Sequence, residues 1–145
     1  MSQPRIVLEK PLYTATASAT GGRDGRVTSS DGTLDLAVTM PRSLGGNGAP
    51  GTNPAQLCAA GYSACFGSAL GFAARMRKVT TGPVKITANV TIGSAGQGFG
   101  LAVELVADIP ELPREQAEEL LRAAHEICPY SNATRGNIAV DIRLA

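Results

Sequence analysis

NPAQLCAAGYSACFGSALGFAARMRK, residues 53–78, predicts one long helix. Asn53 suits the N-cap, Pro54 the first helical position, and Gln56 lies three residues after the cap. Arg75, Arg77 and Lys78 collect at the end where the helix macrodipole is negative. Between these ends the segment is apolar nearly all round and built from small residues, among them Ala59, Ala60, Gly61, Ala64, Gly67 and Gly71. A helix that is apolar on every side has to be buried, and small side chains let other backbones come close. In a chain of 145 residues the simplest place to bury such a helix is the centre of a dimer.

On its N-terminal side, Leu12–Thr20, Gly25–Ser30 and Thr33–Thr39 alternate and are rich in Thr, Ser, Val and Leu. They predict short strands, with turn signals at Gly21-Gly22 and Ser30-Asp31-Gly32. A loop rich in glycine and proline, Pro41–Thr52, leads into the helix, and a loop of that length in a compact domain is usually functional or mobile. On the C-terminal side, Val84–Ile92 and Gly98–Ala107 predict two more strands joined by a Gly-rich turn. A second helix is expected from about Pro113 to Ile127, with Ala117, Leu120, Leu121, Ala124 and Cys128 as its apolar stripe. Pro129 stops it, because the residue before a proline is pushed out of the helical region. Asn137–Arg143 predicts a last strand. The order β-β-β-α-β-β-α-β with tight turns points to an α+β fold with largely antiparallel pairing, in a single domain spanning residues 1–145.

Bulk properties narrow the function. The formal net charge is +1 with both signs interspersed, and there is no tryptophan. Nothing favours nucleic acid or an anionic membrane as partner. No stretch approaches the roughly 18 consecutive apolar residues of a membrane span. Met1–Lys10 carries Arg5, Glu9 and Lys10 and does not read as a secretory signal. The expected location is therefore the cytoplasm, where a cysteine pair that forms a disulfide is usually catalytic or redox-sensing.

The three cysteines are Cys58, Cys65 and Cys128. Their spacing matches no metal site, and the lone histidine, His125, cannot complete one. Free cysteines are often plain buried fillers, and that alternative stands beside a redox role. Cys58 and Cys65 lie about 10 Å apart along one helix, too far for a disulfide. Cys128 ends the second helix beside unpaired carbonyls, where a thiolate is disfavoured. It is a poor first attacker but a plausible second thiol, and Pro129–Asn137 after it can move. Cys65, mid-helix, needs a nearby cation to be a thiolate at neutral pH.

Leu12–Ala17, Thr20–Arg26 and Ser29–Gly32, then Gly51–Pro54 with Ala59–Phe66, then Ala124–Asn137, resemble three motifs of the organic hydroperoxide resistance proteins. The likeness runs through nearly the whole chain in the same order. The last motif favours this branch over the related osmotically inducible one. The resemblance implies an intertwined homodimer, with two long central helices wrapped by β-sheets and two active sites at the interface. It implies that Cys65 attacks the peroxide oxygen, releases an alcohol and becomes a sulfenic acid. Cys128 then condenses with it into a Cys65–Cys128 disulfide. A dihydrolipoyl group, dihydrolipoamide or a lipoylated protein, is the implied external reductant, with no bound cofactor. Alkyl and fatty-acid hydroperoxides are the implied substrates.

Arg23 matches the family's catalytic arginine, and a permanently charged guanidinium suits a thiolate and a peroxide oxygen. Without the resemblance, Arg23 is a solvated turn residue. One position departs from the pattern. The family usually carries a glutamate ten residues before the first cysteine, holding the arginine, and here Ala55 stands there. Asp24 or Glu126 substitutes, other contacts hold Arg23, or the chain is a variant with weakened turnover that binds or senses peroxide. Cys58 reads as a core filler, and His125 as a packed or solvated helix residue rather than an acid–base group. Tyr130 either positions the segment after Cys128 or caps the core. A plain structural interaction protein is the remaining alternative.

Overall fold

The computed structural model describes residues 5–145. Part of the segment read as lacking a secretory signal, residues 1–4, lies outside them. The chain divides into two compact units, Met1–Pro54 and Ala55–Ala145.

The first unit is a three-stranded antiparallel sheet of β1 (Ala17–Thr20), β2 (Gly25–Ser29) and β3 (Asp35–Val38). β1 is shorter than Leu12–Thr20, and its pairing explains why. Ala17 faces Ser29, the last residue of β2, and the final rung is Ser30 N–H to Thr16 O at 2.9 Å. Among the described residues no strand pairs with the segment before Thr16, and Leu12 and Tyr13 are exposed. The β1–β2 turn needs glycine. Gly21 and Gly22 both have positive φ, and a Cβ on Gly25 would lie 1.8 Å from Thr20 O. After β3 the loop makes a single 3₁₀ turn, Arg42–Leu44, and returns to the sheet at Thr52, which bridges Val38 in parallel. Val38 is the buried apolar residue of this unit.

The second unit begins with α1 (Pro54–Met76). A hairpin of β4 (Lys85–Ala95) and β5 (Gly98–Asp108) follows, then α2 (Arg114–Ile127), α3 (Pro129–Thr134) and β6 (Val140–Leu144). The fold is α+β, as the order of elements predicts. β4 and β5 pair antiparallel, but β6 pairs with β5 in parallel, Val103 opposite Val140. β6 starts later than Asn137 because Asn137 and Ile138 both donate back to Thr134 O, closing the end of α3. One core joins the elements: Tyr62, Phe66, Leu70 and Ala73 of α1, Val103, Leu105 and Ala107 of β5, and Leu120, Leu121 and Ala124 of α2.

α1 ends in a Schellman arrangement. Val79 N–H bonds Ala74 O and Lys78 N–H bonds Arg75 O, with Lys78 left-handed at φ 55. One expectation about α1 needs correction. It is, by length and composition alone, long and apolar enough to cross a membrane, although its buried side chains serve the core of this unit. Within the single chain, its Phe72 and Met76 are 46% and 68% exposed.

Candidate active site

Cys65 and Cys128 are 63 residues apart in sequence, yet their Sγ atoms lie 3.4 Å apart. Both are free thiols. Cys65 sits on α1 one turn after Tyr62 and next to Phe66, both wholly buried. Those two residues turn that face of α1 into the core, and Cys65 lies at its margin, half-buried. Cys128 is placed by a change of helix direction. Its N–H still bonds Ala124 O, closing α2, while its ψ of 122 turns the chain out of the helix. Its own carbonyl then accepts Asn132 N–H at 2.9 Å, opening α3. Its side chain is fully buried. A reagent from solvent therefore meets Cys65, and Cys128 lies behind it.

Pro129 is the residue that sequence reasoning took in only one sense. It ends α2, as expected, but it also occupies the first position of α3, where a missing N–H does no harm. Pro129–Asn137 is thus not a free segment: most of it is helical. The Tyr62 hydroxyl hydrogen-bonds Ser131 Oγ at 2.8 Å and Thr134 Oγ1 at 3.3 Å. The Tyr62 and Tyr130 rings meet at 5.6 Å between centroids. The Arg135 guanidinium donates to His125 O, tying the end of α3 to the last turn of α2. Tyr62 and Ser131 carried no functional signal in the sequence beyond their place near the cysteines.

Electrostatics around Cys65 are divided. Burial pushes its thiol above the ordinary range. The Tyr130 backbone N–H opposes this by hydrogen-bonding the sulfur, and the neighbouring Cys128 reinforces the rise. The second unit by itself therefore leaves Cys65 in need of a cation.

Arg23 lies half-buried in the β1–β2 turn of the first unit. Among the described residues of that unit the ion pair is Arg26–Asp35, and it involves neither Arg23 nor Asp24. Ala55 is half-buried in the first turn of α1, Glu126 is exposed, and Cys58 is half-buried on α1. His125 is half-buried, with its Nδ1 lacking a hydrogen-bond partner and its pKa lowered, chiefly by burial. It lines a cavity of about 380 Å³ with Arg114, Arg122 and Arg143, and neither cysteine is part of that lining. The thiol pair, not this cavity, carries the chemistry that can be read from side chains.

The profile of the OsmC-like proteins matches residues 45–143. An organic hydroperoxide resistance protein of Xanthomonas axonopodis pv. citri is 51% identical, over 94% of this chain and 97% of that one. The chain belongs to the organic hydroperoxide resistance branch of the OsmC-like family. The OhrB organic hydroperoxide resistance protein of Bacillus subtilis is 46% identical over 92% of this chain and 98% of its own. Among solved structures, an organic hydroperoxide resistance protein from Legionella pneumophila superposes with a TM-score of 0.90 at 47% identity, covering 94% of this chain and 99% of that one. The family likeness covers both units.

Proposed function

We propose that this chain is a cysteine-based peroxidase that reduces organic hydroperoxides to alcohols. The observation that carries the proposal is the 3.4 Å approach of an accessible thiol, Cys65, to a buried one, Cys128. The relatives named for organic hydroperoxide resistance support the substrate class. In the first step the Cys65 thiolate attacks the peroxide O–O bond. One oxygen becomes the Cys65 sulfenic acid, and the other leaves as the alcohol after taking up a proton. In the second, the Cys128 thiol displaces water from the sulfenic acid and the S–S bond forms, about 2.0 Å long. A dihydrolipoyl group then reduces this disulfide and is itself oxidised to the cyclic disulfide.

The raised Cys65 thiol calls for a cation, and the resemblance gives that part to the Arg23 guanidinium. The homodimer belongs to the same proposal. A three-stranded sheet whose buried apolar residue is Val38, and a helix with Phe72 and Met76 exposed, both have apolar surface left to cover. The working compartment is the reducing cytoplasm, where the pair starts as thiols.

The test is peroxide-dependent loss of free thiols followed by mass mapping of the linked cysteines. One equivalent of cumene hydroperoxide is expected to remove two thiols and to yield a Cys65–Cys128 linkage with Cys58 still free. A linkage through Cys58, or no thiol loss, rejects the proposal.

Ala55 favours a second reading, in which the fold binds or senses peroxide with weakened turnover. Losing one charge-assisted hydrogen bond to Arg23 amounts to about 1.5–3 kcal/mol, roughly ten- to over a hundredfold if fully felt in the active arrangement. Ala55→Glu separates the two. If alanine limits the enzyme, steady-state turnover with dihydrolipoamide rises by about tenfold or more. An unchanged and already rapid turnover removes the sensing reading.

A further inference from the structure

Formation of the Cys65–Cys128 bond requires α3 to stay where it is, and α1 holds it with the turn that precedes Cys65. Tyr62 lies three residues before Cys65, on the same helical face. It is wholly buried, and a phenylalanine would fill nearly the same volume. Its hydroxyl nevertheless reaches Ser131 Oγ at 2.8 Å and Thr134 Oγ1 at 3.3 Å, both on α3, and Ser131 is itself wholly buried. Gly61 supplies the second hold. A Cβ there would lie 2.7 Å from the Tyr130 hydroxyl and 3.3 Å from its ring carbons. The absent side chain is the space in which the Tyr130 ring rests on α1, tilted at 56° to Tyr62. Two adjacent residues of α1 thus grip Tyr130, Ser131 and Thr134, and the same short helix begins at Cys128.

We propose that Tyr62 and Gly61 are positioning residues: together they clamp α3 to α1 so that the Cys128 sulfur remains on Cys65. The proposal rests on the peroxidase reading and concerns its second step. A Cys65 sulfenic acid has two fates, condensation with Cys128 or further oxidation to the sulfinic acid. The clamp sets the ratio between them, because it sets the fraction of time Cys128 is within reach. It also keeps the Tyr130 N–H, a donor to the Cys65 sulfur, in place.

The experiment uses the full chain and two variants, Tyr62→Phe and Gly61→Ala. Each is treated with cumene hydroperoxide, and the ratio of Cys65 sulfinic acid to Cys65–Cys128 disulfide is measured by mass spectrometry. The pH profile of Cys65 alkylation by iodoacetamide is recorded alongside, with thermal unfolding as the check on folding. Tyr62→Phe is expected to raise the sulfinic fraction by roughly two- to tenfold, the range of one hydrogen bond, and to move the alkylation profile to higher pH. Gly61→Ala should act in the same direction without loss of thermal stability. Alanine favours the helix interior, and the group it displaces is the tip of Tyr130, which is 41% exposed. If Tyr62→Phe lowers the unfolding temperature while ratio and profile stay at parent values, the tyrosine is core filling and the proposal is overturned. Parent behaviour in both folded variants overturns it as well. A further arm keeps the two readings distinguishable. Diamide oxidises a thiol pair to a disulfide without any peroxide, being reduced to the hydrazine. Slower diamide-driven closure of Cys65–Cys128 in both variants supports the clamp even if no hydroperoxide is consumed, and equal closure rates in parent and variants reject it.

Discussion

Cys65→Ser is expected to abolish the consumption of cumene hydroperoxide, lowering the rate by at least about a thousandfold, or ~4 kcal/mol of transition-state stabilisation. A serine hydroxyl is not ionised near neutral pH and cannot take an oxygen atom from a peroxide. The remaining sulfurs do not replace it. Cys128 is fully buried and closes α2, the end of a helix where negative charge is disfavoured. Cys58 lies about two helical turns away on α1. The same assignment fixes the pH dependence. The thiolate is the nucleophile; burial pushes the Cys65 thiol up, the cation proposed at Arg23 acts against that rise, and thiolate is scarce below the pKa the two together leave. The rate is expected to climb about tenfold per pH unit below the Cys65 pKa and then to level. Folding responds with the opposite sign. The unfolded chain gives up this proton first, so the native state loses stability as pH rises past the ordinary thiol range. Initial rates of peroxide loss between pH 6 and about pH 10 check the claim. Consumption by the Cys65→Ser protein at the parent rate sinks the assignment.

The second large effect is on the fate of the oxidised site. Cys128→Ser is expected to lose catalytic cycling: the first hydroperoxide gives the Cys65 sulfenic acid, and one more at each step carries it to the sulfinic and then the sulfonic acid, so consumption ends at no more than about three equivalents per chain. In the parent, Cys128 lies 3.4 Å from Cys65, and in the proposed mechanism it closes the disulfide before a second peroxide arrives. A hydroxyl in its place cannot condense with a sulfenic acid under these conditions. Position 128 is fully buried, so a serine there also costs about 1–3 kcal/mol if its hydroxyl finds no partner. Cys128→Ala controls for that loss: it lacks the hydroxyl and should show the same loss of cycling, with Cys65 overoxidised. Titration against peroxide, with the mass of the Cys65 peptide read at each point, decides the matter. Sustained turnover without overoxidation in both variants means that Cys128 does not resolve the intermediate.

Much of this molecule could be read along the chain because the signals are local. Helical period, cap residues and proline placed α1 and α2, and alternation with turn glycines placed the strands, to within a few residues. The same locality produced the errors. β1 was overextended because alternation continues through Leu12–Thr16 where no partner strand does. α3 was missed because one proline both ends a helix and begins the next, and a six-residue helix leaves almost no periodic trace.

By itself the sequence determined the element types, the α+β class and the family through its three motifs, and it singled out two sulfurs as candidates. It did so because those properties depend on residue type and near-neighbour spacing. Only the tertiary structure decided that Cys65 and Cys128 touch, that one faces outward and the other is sealed, that β6 joins β5 in parallel, and that Tyr62 holds α3. Each of those rests on contacts between residues tens of positions apart, where the direction a side chain takes is set by packing rather than by its neighbours in sequence.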